Sequence, residues 1–397
     1  MKKNFFYLFI AFFAIVATVS CTDDEPNVIV KINEPGENPT PTPDPDPTPA
    51  DPEKVLTGKI TEDKTVGAGE TWVLDGIVVV EEGATLTIGK GATIIANPND
   101  GVDALFINQG AMINAVGTAS EPIVMTSTVR ERGSFGGVVI LGRAPINVEG
   151  GESTSELGTE YKYGGNDPAD NSGVMKFVRV EYAGKKNSSD NEFNGFSLYA
   201  VGNGTTLENL QAYYGSDDGF EFFGGTVVAN NLISTGNEDD AIDWTEGWTG
   251  GGENWLIELA EDDGDFGFEA SGNDENPSLE PYSKPVIKNV TIRGNAISVT
   301  EEKSAIRLKS GTNIDLQNVL ITGYPKGIRF DKDQSVTFLK NDEMVIKGVK
   351  FGSDVSTHFV NKSDIADADF QAAVAKIELD DNASGAQINR GSWALDL

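Results

Sequence analysis

Beyond residue 54 the chain is written in short alternations of apolar and polar residues, bounded by Gly, Asn or Asp. Ala84-Thr-Leu-Thr-Ile88 and Ala92-Thr-Ile-Ile95 alternate with a period of two around Gly-Lys-Gly, which predicts two strands and a turn. A longer register follows. Glu208-Asn-Leu-Gln-Ala212, Asn230-Asn-Leu-Ile-Ser234, Glu253-Asn-Trp-Leu-Ile257, Lys288-Asn-Val-Thr-Ile292 and Gln317-Asn-Val-Leu-Ile321 each read polar–Asn–apolar and each begin a strand. A second column aligns Asn194-Gly-Phe-Ser-Leu198, Asp218-Gly-Phe-Glu-Phe222, Asp240-Ala-Ile-Asp-Trp244, Phe266-Gly-Phe-Glu-Ala270, Ser304-Ala-Ile-Arg-Leu308 and Lys326-Gly-Ile-Arg-Phe330.

Two strand columns recurring about every 22 residues, with insertions, mark a solenoid. The class expected is all-β, a single right-handed parallel β-helix whose coils stack at about 4.8 Å. Leu, Ile, Val and Phe would fill its interior, and the aligned asparagines would form an amide ladder at one turn. One helix is expected over 364–380, with Ser363 or Asp364 as N-cap, in a C-terminal cap spanning about 331–397. His358, just before it, reads as a surface or packing residue.

The head of the chain has a different texture. Lys2-Lys3 precede the apolar run Phe5 to Val19 and then Ser20-Cys21, the layout of a signal peptide over 1–20. Cys21 is the single cysteine, so it reads as a lipidation site rather than half of a disulfide. Thr18-Val-Ser-Cys21 resembles a bacterial lipobox, with Thr where Leu is usual. Residues 21–54 are an acidic start and a Pro-rich spacer, and the β-helix is expected over 55–397. Thr22-Asp-Asp-Glu25 resembles the surface-export signal of Bacteroidetes-type lipoproteins, which implies the outer face of the outer membrane.

Composition narrows the partner. With 62 acids against 30 bases and a net charge of −32, nucleic acid is excluded as a target. The acids also gather. The fourth position of the second column reads Ser197, Glu221, Asp243, Glu269, Arg307, Arg329, and alternation puts all six on one face. Asp218 and Asp240 stand at its first position, Asp217 and Asp239 in the turn before it. One wall should therefore carry an acidic strip followed by Arg307, Lys309 and Arg329.

Three chemistries suit such a wall. Asp217, Asp218, Glu221, Asp239, Asp240 and Asp243 are candidate ligands for Ca²⁺, a hard cation that takes several carboxylate oxygens; solvated, screened acids are the alternative. In a hydrolase, paired carboxylates would act as acid and base. In a lyase, Ca²⁺ would acidify a uronate α-proton for Arg or Lys to remove. Tyr213, Tyr214, Trp244 and Trp248, with Glu221, Asp243, Glu269 and Arg329, are the candidate glycan-binding residues, because exposed rings stack on sugar faces. Trp255 reads equally well as core, and the polar insertions 149–172 and 271–285 could wall a groove.

Two resemblances bear on these alternatives. Ser216-Asp-Asp-Gly219, Asp239-Asp240 and Arg307-Leu-Lys309 resemble, in order, three of the four motifs of polygalacturonase-type β-helix hydrolases. That implies Asp240 as general acid, Asp218 and Asp239 activating water, and Arg307 with Lys309 holding a substrate carboxylate. Phe266 stands where that family keeps histidine. Gly117-Thr-Ala-Ser-Glu-Pro-Ile-Val-Met-Thr-Ser127, Gly136-Gly-Val-Val-Ile-Leu-Gly-Arg-Ala-Pro-Ile-Asn147, the run from Asp170 to Gly184 and Gly215–Gly225 resemble a family of Bacteroidetes surface β-helix lipoproteins, over roughly residues 70–330. That likeness implies a pectin-lyase-like solenoid at the cell surface and no particular reaction. The leading expectation is recognition of an extracellular glycan or surface partner, with polysaccharide degradation by the same wall as the alternative.

Overall fold

A computed structural model of the chain describes residues 54–97, 101–188, 191–300 and 302–397. The signal segment, Cys21 and the Pro-rich spacer lie outside the described residues. Among the described residues, 24 strands are linked by pairings that are all parallel, and an isolated antiparallel bridge, Lys186 to Glu192, lies outside them. The fold is a parallel β-helix, as the period implied. No helix of the described residues is long and apolar enough to cross a membrane.

Each full coil contributes to three sheets. Thr206–Glu208 lies in the first and Leu210–Tyr213 in the second; Phe220–Phe223 lies in the third, before the chain returns at Ala229. Inward positions are apolar and fully buried, for example Leu210, Leu232, Trp255, Val290, Val319 and Val349 down the second sheet.

The recurring asparagines sit between the first two sheets, at a corner within one strand run rather than at its start. Asn209, Asn231, Asn254, Asn289 and Asn318 all have φ between 55° and 60°. This left-handed region costs most side chains, and Asn tolerates it. Phe177 and Gly348 occupy the same corner in flanking coils, also with positive φ. The amide ladder forms in places. Asn254 Nδ2 donates to Asn231 Oδ1 at 3.2 Å, and Asn318 Nδ2 to Asn289 Oδ1 at 2.8 Å.

Two additions lie outside the solenoid. The insertion 143–172, with its hairpin of Glu152–Thr154 and Lys162–Gly164, covers the outer face of the early third sheet. Ile146, Leu157, Tyr161 and Tyr163 pack there on Phe106, Val139, Leu141, Tyr199 and Phe223. Residues 384–395 run back along the outside of the second sheet as a strap. Ala386 N–H donates to Thr291 Oγ1 at 3.0 Å, and the Leu395 backbone exchanges two 2.8 Å hydrogen bonds with Gln211. Trp393 is buried edge-on to Phe177, 5.9 Å between ring centres.

The helix expected over 364–380 is shorter. It spans Asp367–Val374 with Ala366 as its N-cap, and Glu378–Leu379 pairs with the last coil instead. A second helix, Asp333–Lys340, was not anticipated. His358 lies on Thr357–Asn361, exposed and stacked on Phe351 at 4.2 Å.

Candidate functional site

The third sheet carries the acidic strip in the expected register. Ser197, Glu221, Asp243, Glu269, Arg307 and Arg329 are successive ladder partners on its outer face. The turn leading into this sheet brings Asp217 and Asp218 beside Asp239 and Asp240. A Cβ on Gly219 would lie 2.6 Å from the Ala241 carbonyl, so the turn closes tightly only without one. Asp218 Oδ1 accepts the Asp240 N–H at 2.9 Å, and Asp240 Oδ1 accepts the Phe266 N–H at 2.8 Å.

These residues border an open cavity of about 290 Å³, lined by Glu156, Glu192, Asn194, Asp217, Asp218, Glu221, Asp239, Asp240, Asp243 and Glu269. Glu156 arrives from the insertion 143–172, where Tyr199 Oη donates to its Oε1 at 3.1 Å. Sequence reasoning missed Glu156 and Glu192 because neither belongs to a repeating column. The unbroken apolar strands Ala104–Ile107 and Val138–Leu141 were the available signal that this face is covered.

Among the described residues no Lys or Arg lines the cavity. Arg307 and Lys309 stand at its edge and are already engaged. Arg307 Nη1 donates to Glu269 Oε1 at 2.5 Å and its Nε to Asp331 at 2.9 Å, while Lys309 Nζ donates to Glu269 Oε2. Arg329 also pairs with Asp331, at 2.5 Å. The basic residues are thus held by the chain's own carboxylates.

Crowding and burial raise the acids' proton affinity. Burial pushes Asp217 up to about 8, with Asp239 next in effect. Asp239 is exposed as a whole residue, but its carboxyl borders the crowded cavity, where lost solvation and then Asp265 push it up to about 6. Burial also raises Asp218, Glu221, Asp240 and Asp243, and a neighbouring acid adds to each shift: Asp240, Asp243, Glu269 and Glu269 respectively. A buried like-charged cluster must take up protons or bind cations.

Three triads have carboxylate oxygens within 4.8 Å of one another: Asp217, Asp218 and Asp239; Asp218, Glu221 and Asp243; and Asp240, Asp243 and Glu269. Every residue named from the sequence as a calcium ligand is in one of them. Asp243 Oδ1 is buried without a hydrogen-bond partner.

The aromatic half of the expected wall is corrected. Trp244 and Trp248 are fully buried, as is Trp255. Strand alternation turns Trp244 inward opposite Asp243, and Trp248 stacks on Phe222 at 4.1 Å inside the solenoid. Their indole N–H groups are satisfied internally, by Thr312 Oγ1 and the Val227 carbonyl. Tyr213 and Tyr214 are half-buried at the end of the second sheet and do not line the cavity; Arg132 lies over Tyr214 at 4.8 Å. Nor does the insertion 271–285 line it. Phe266, the position of the missing histidine, lies under Arg307 at 5.3 Å.

A family described as a pectate-lyase-like β-helix domain matches residues 58–397. The chain belongs to that family. The match takes in every coil that builds the acidic cavity, and a domain of this kind is compatible with binding or degrading glycans. No curated protein and no solved structure matches.

Proposed function

We propose that this β-helix recognises an extracellular glycan through its acidic cavity, with divalent cations linking the carboxylates to sugar hydroxyl or carboxylate oxygens. The observation that carries the reading is the cavity itself, lined by nine carboxylates with an unpartnered Asp243 Oδ1 in their midst. Oxygen-only ligands at this density suit Ca²⁺. Bare carboxylates would accept hydrogen bonds from hydroxyls but repel an acidic polymer; bound cations make both kinds of glycan acceptable. In this reading the chain is a lipoprotein held to the outer membrane by Cys21, with its spacer presenting the β-helix at the cell surface. The lipobox-like Thr18-Val-Ser-Cys21 and the acids after it support that placement.

A second reading, glycoside hydrolysis by Asp218, Asp239 and Asp240, is favoured by one feature. Asp239 is held near 6, within the range useful to a general acid or base. Against it, Asp218 and Asp240 each spend an oxygen on the next coil's backbone. The deciding experiment is a glycan array read with Ca²⁺ and with chelator, beside a reducing-sugar and unsaturated-product assay. Calcium-dependent retention without product is expected. Product that vanishes in Asp240→Asn would replace recognition by catalysis.

A further inference from the structure

We propose that the cleft between the strap and the second sheet binds a neutral sugar residue, apart from the acidic cavity and without metal ions. Its open cavity of about 420 Å³ lies within the size range of small-ligand sites. None of its lining residues belongs to the acidic cavity.

The floor is a block of four side chains from two neighbouring coils. Leu256 pairs with Thr291 in the ladder, and Glu258 pairs with Arg293. Each coil contributes residues two apart, so alternation turns all four to the outer face of the sheet. One half of the floor is therefore Leu256 with Thr291, and the other half is a carboxylate beside a guanidinium. The strap repeats this division. Its Ala386 and Ile388 pack on the apolar cluster that contains Leu256, while its Arg390 donates to Glu258.

The charged half is balanced. Arg293 Nη1 donates to Glu258 Oε1 at 2.7 Å, Arg390 Nη2 donates to Glu258 Oε2, and Arg390 Nη1 donates to Asp396 Oδ1. Two bases and two acids alternate in one chain, so an ionic ligand would have to break a pair to gain a partner. Hydrogen-bonding capacity remains at both ends of that chain. Among the described residues Arg293 uses only Nη1, and its side chain is 54 % exposed, which leaves Nε and Nη2 as accessible donors. Asp396, also exposed, uses only Oδ1 and keeps Oδ2 as an acceptor. A pyranose has the matching division. Its hydroxyls both accept and donate, meeting Arg293 and Asp396, and its C–H face covers Leu256 and Ile388.

The test is saturation-transfer NMR on the full chain, in EDTA and a detergent without a sugar headgroup. The probes are methyl β-D-glucopyranoside, methyl β-D-galactopyranoside, methyl α-D-mannopyranoside and methyl β-D-glucopyranosiduronate. A saturable signal from at least one neutral glycoside is expected, stronger than that from the uronide. Arg293→Ala removes both free donors but leaves Arg390 on Glu258, and should weaken binding by about 10-fold. Asp396→Ala should weaken it too. Circular dichroism checks folding, and if Arg293→Ala does not fold, the exposed Asp396→Ala decides. No saturable neutral glycoside, a preference for the uronide, or a signal that neither variant weakens overturns the site. Metal is chelated throughout, so failure here leaves the cation-mediated cavity standing. Loss of calcium-dependent retention on the array would leave this cleft standing instead.

Discussion

Asp218 and Asp240 are joined across one coil step: the Oδ1 of the first accepts the backbone N–H of the second at 2.9 Å. The same bond recurs from Asp240 to Phe266. These acids are therefore part of the turn as well as of the cavity, and the two roles separate by substitution. Asp218→Asn keeps an acceptor and removes a buried charge, so without divalent cations it should unfold at higher urea than the wild type. Asp218→Ala leaves the Asp240 N–H unpartnered, and should be less stable than Asp218→Asn by about 1–3 kcal/mol. Equal midpoints for the two variants would show that the bond contributes nothing.

Trp248 is a core residue, and its loss should behave as one. Truncating Trp248 to Ala empties the space against Phe222 and should cost about 3–5 kcal/mol. Calorimetry should show the fall, and any ligand binding should decline only with the folded fraction. A Trp248→Ala protein of wild-type stability that had lost ligand would return this ring to the binding surface.

At the Asn corner the backbone sets the cost. Asn254 holds φ near 60° and donates only to Asn231 in its ladder. Asn254→Ala should destabilise by about 1–2 kcal/mol, because a Cβ without a compensating polar group is strained there. Asn254→Gly should cost clearly less, since glycine is at ease in this region. Urea midpoints of the two variants check the order.

Glu246 links stability to pH. Its carboxyl is pushed up to about 7 by burial, against the hydrogen bond from Tyr163 Oη, which favours the charged form. A carboxyl with a raised native pKa binds more protons folded than unfolded between the two values. Its contribution to stability is therefore complete below the ordinary Glu range and shrinks as pH rises towards 7. Glu246→Gln keeps a partner for Tyr163 without the charge, and should reduce the loss of thermal stability between pH 5 and about 8. An unchanged pH profile in this variant would assign that loss to other groups.

Much of this was legible in the sequence, because a solenoid writes its register directly. The fourth-position column from Ser197 to Arg329 was read correctly from spacing alone, since parallel in-register strands leave one residue no choice of face. The same parity placed Trp244 inside. Treating it as a sugar platform gave its chemistry precedence over its position. Trp248 lies outside any column, and nothing local marked it as core. Glu156 comes from the insertion 143–172 and Glu192 from the loop before Phe196–Tyr199, where sequence distance says nothing of spatial distance. The strap was invisible for the same reason: Arg390 and Trp393 carry no periodicity, and Glu258 and Phe177, which they meet on the second sheet, lie far back along the chain.

The strap also bears on the order of assembly. In a simple stack each coil needs only its neighbours, so a chain made from its N-terminus could finish its coils one after another. Here the outer face at Gln211 waits for Leu395, 184 residues later. The middle of the stack therefore gains its last outer contacts from residues synthesised long after its coils.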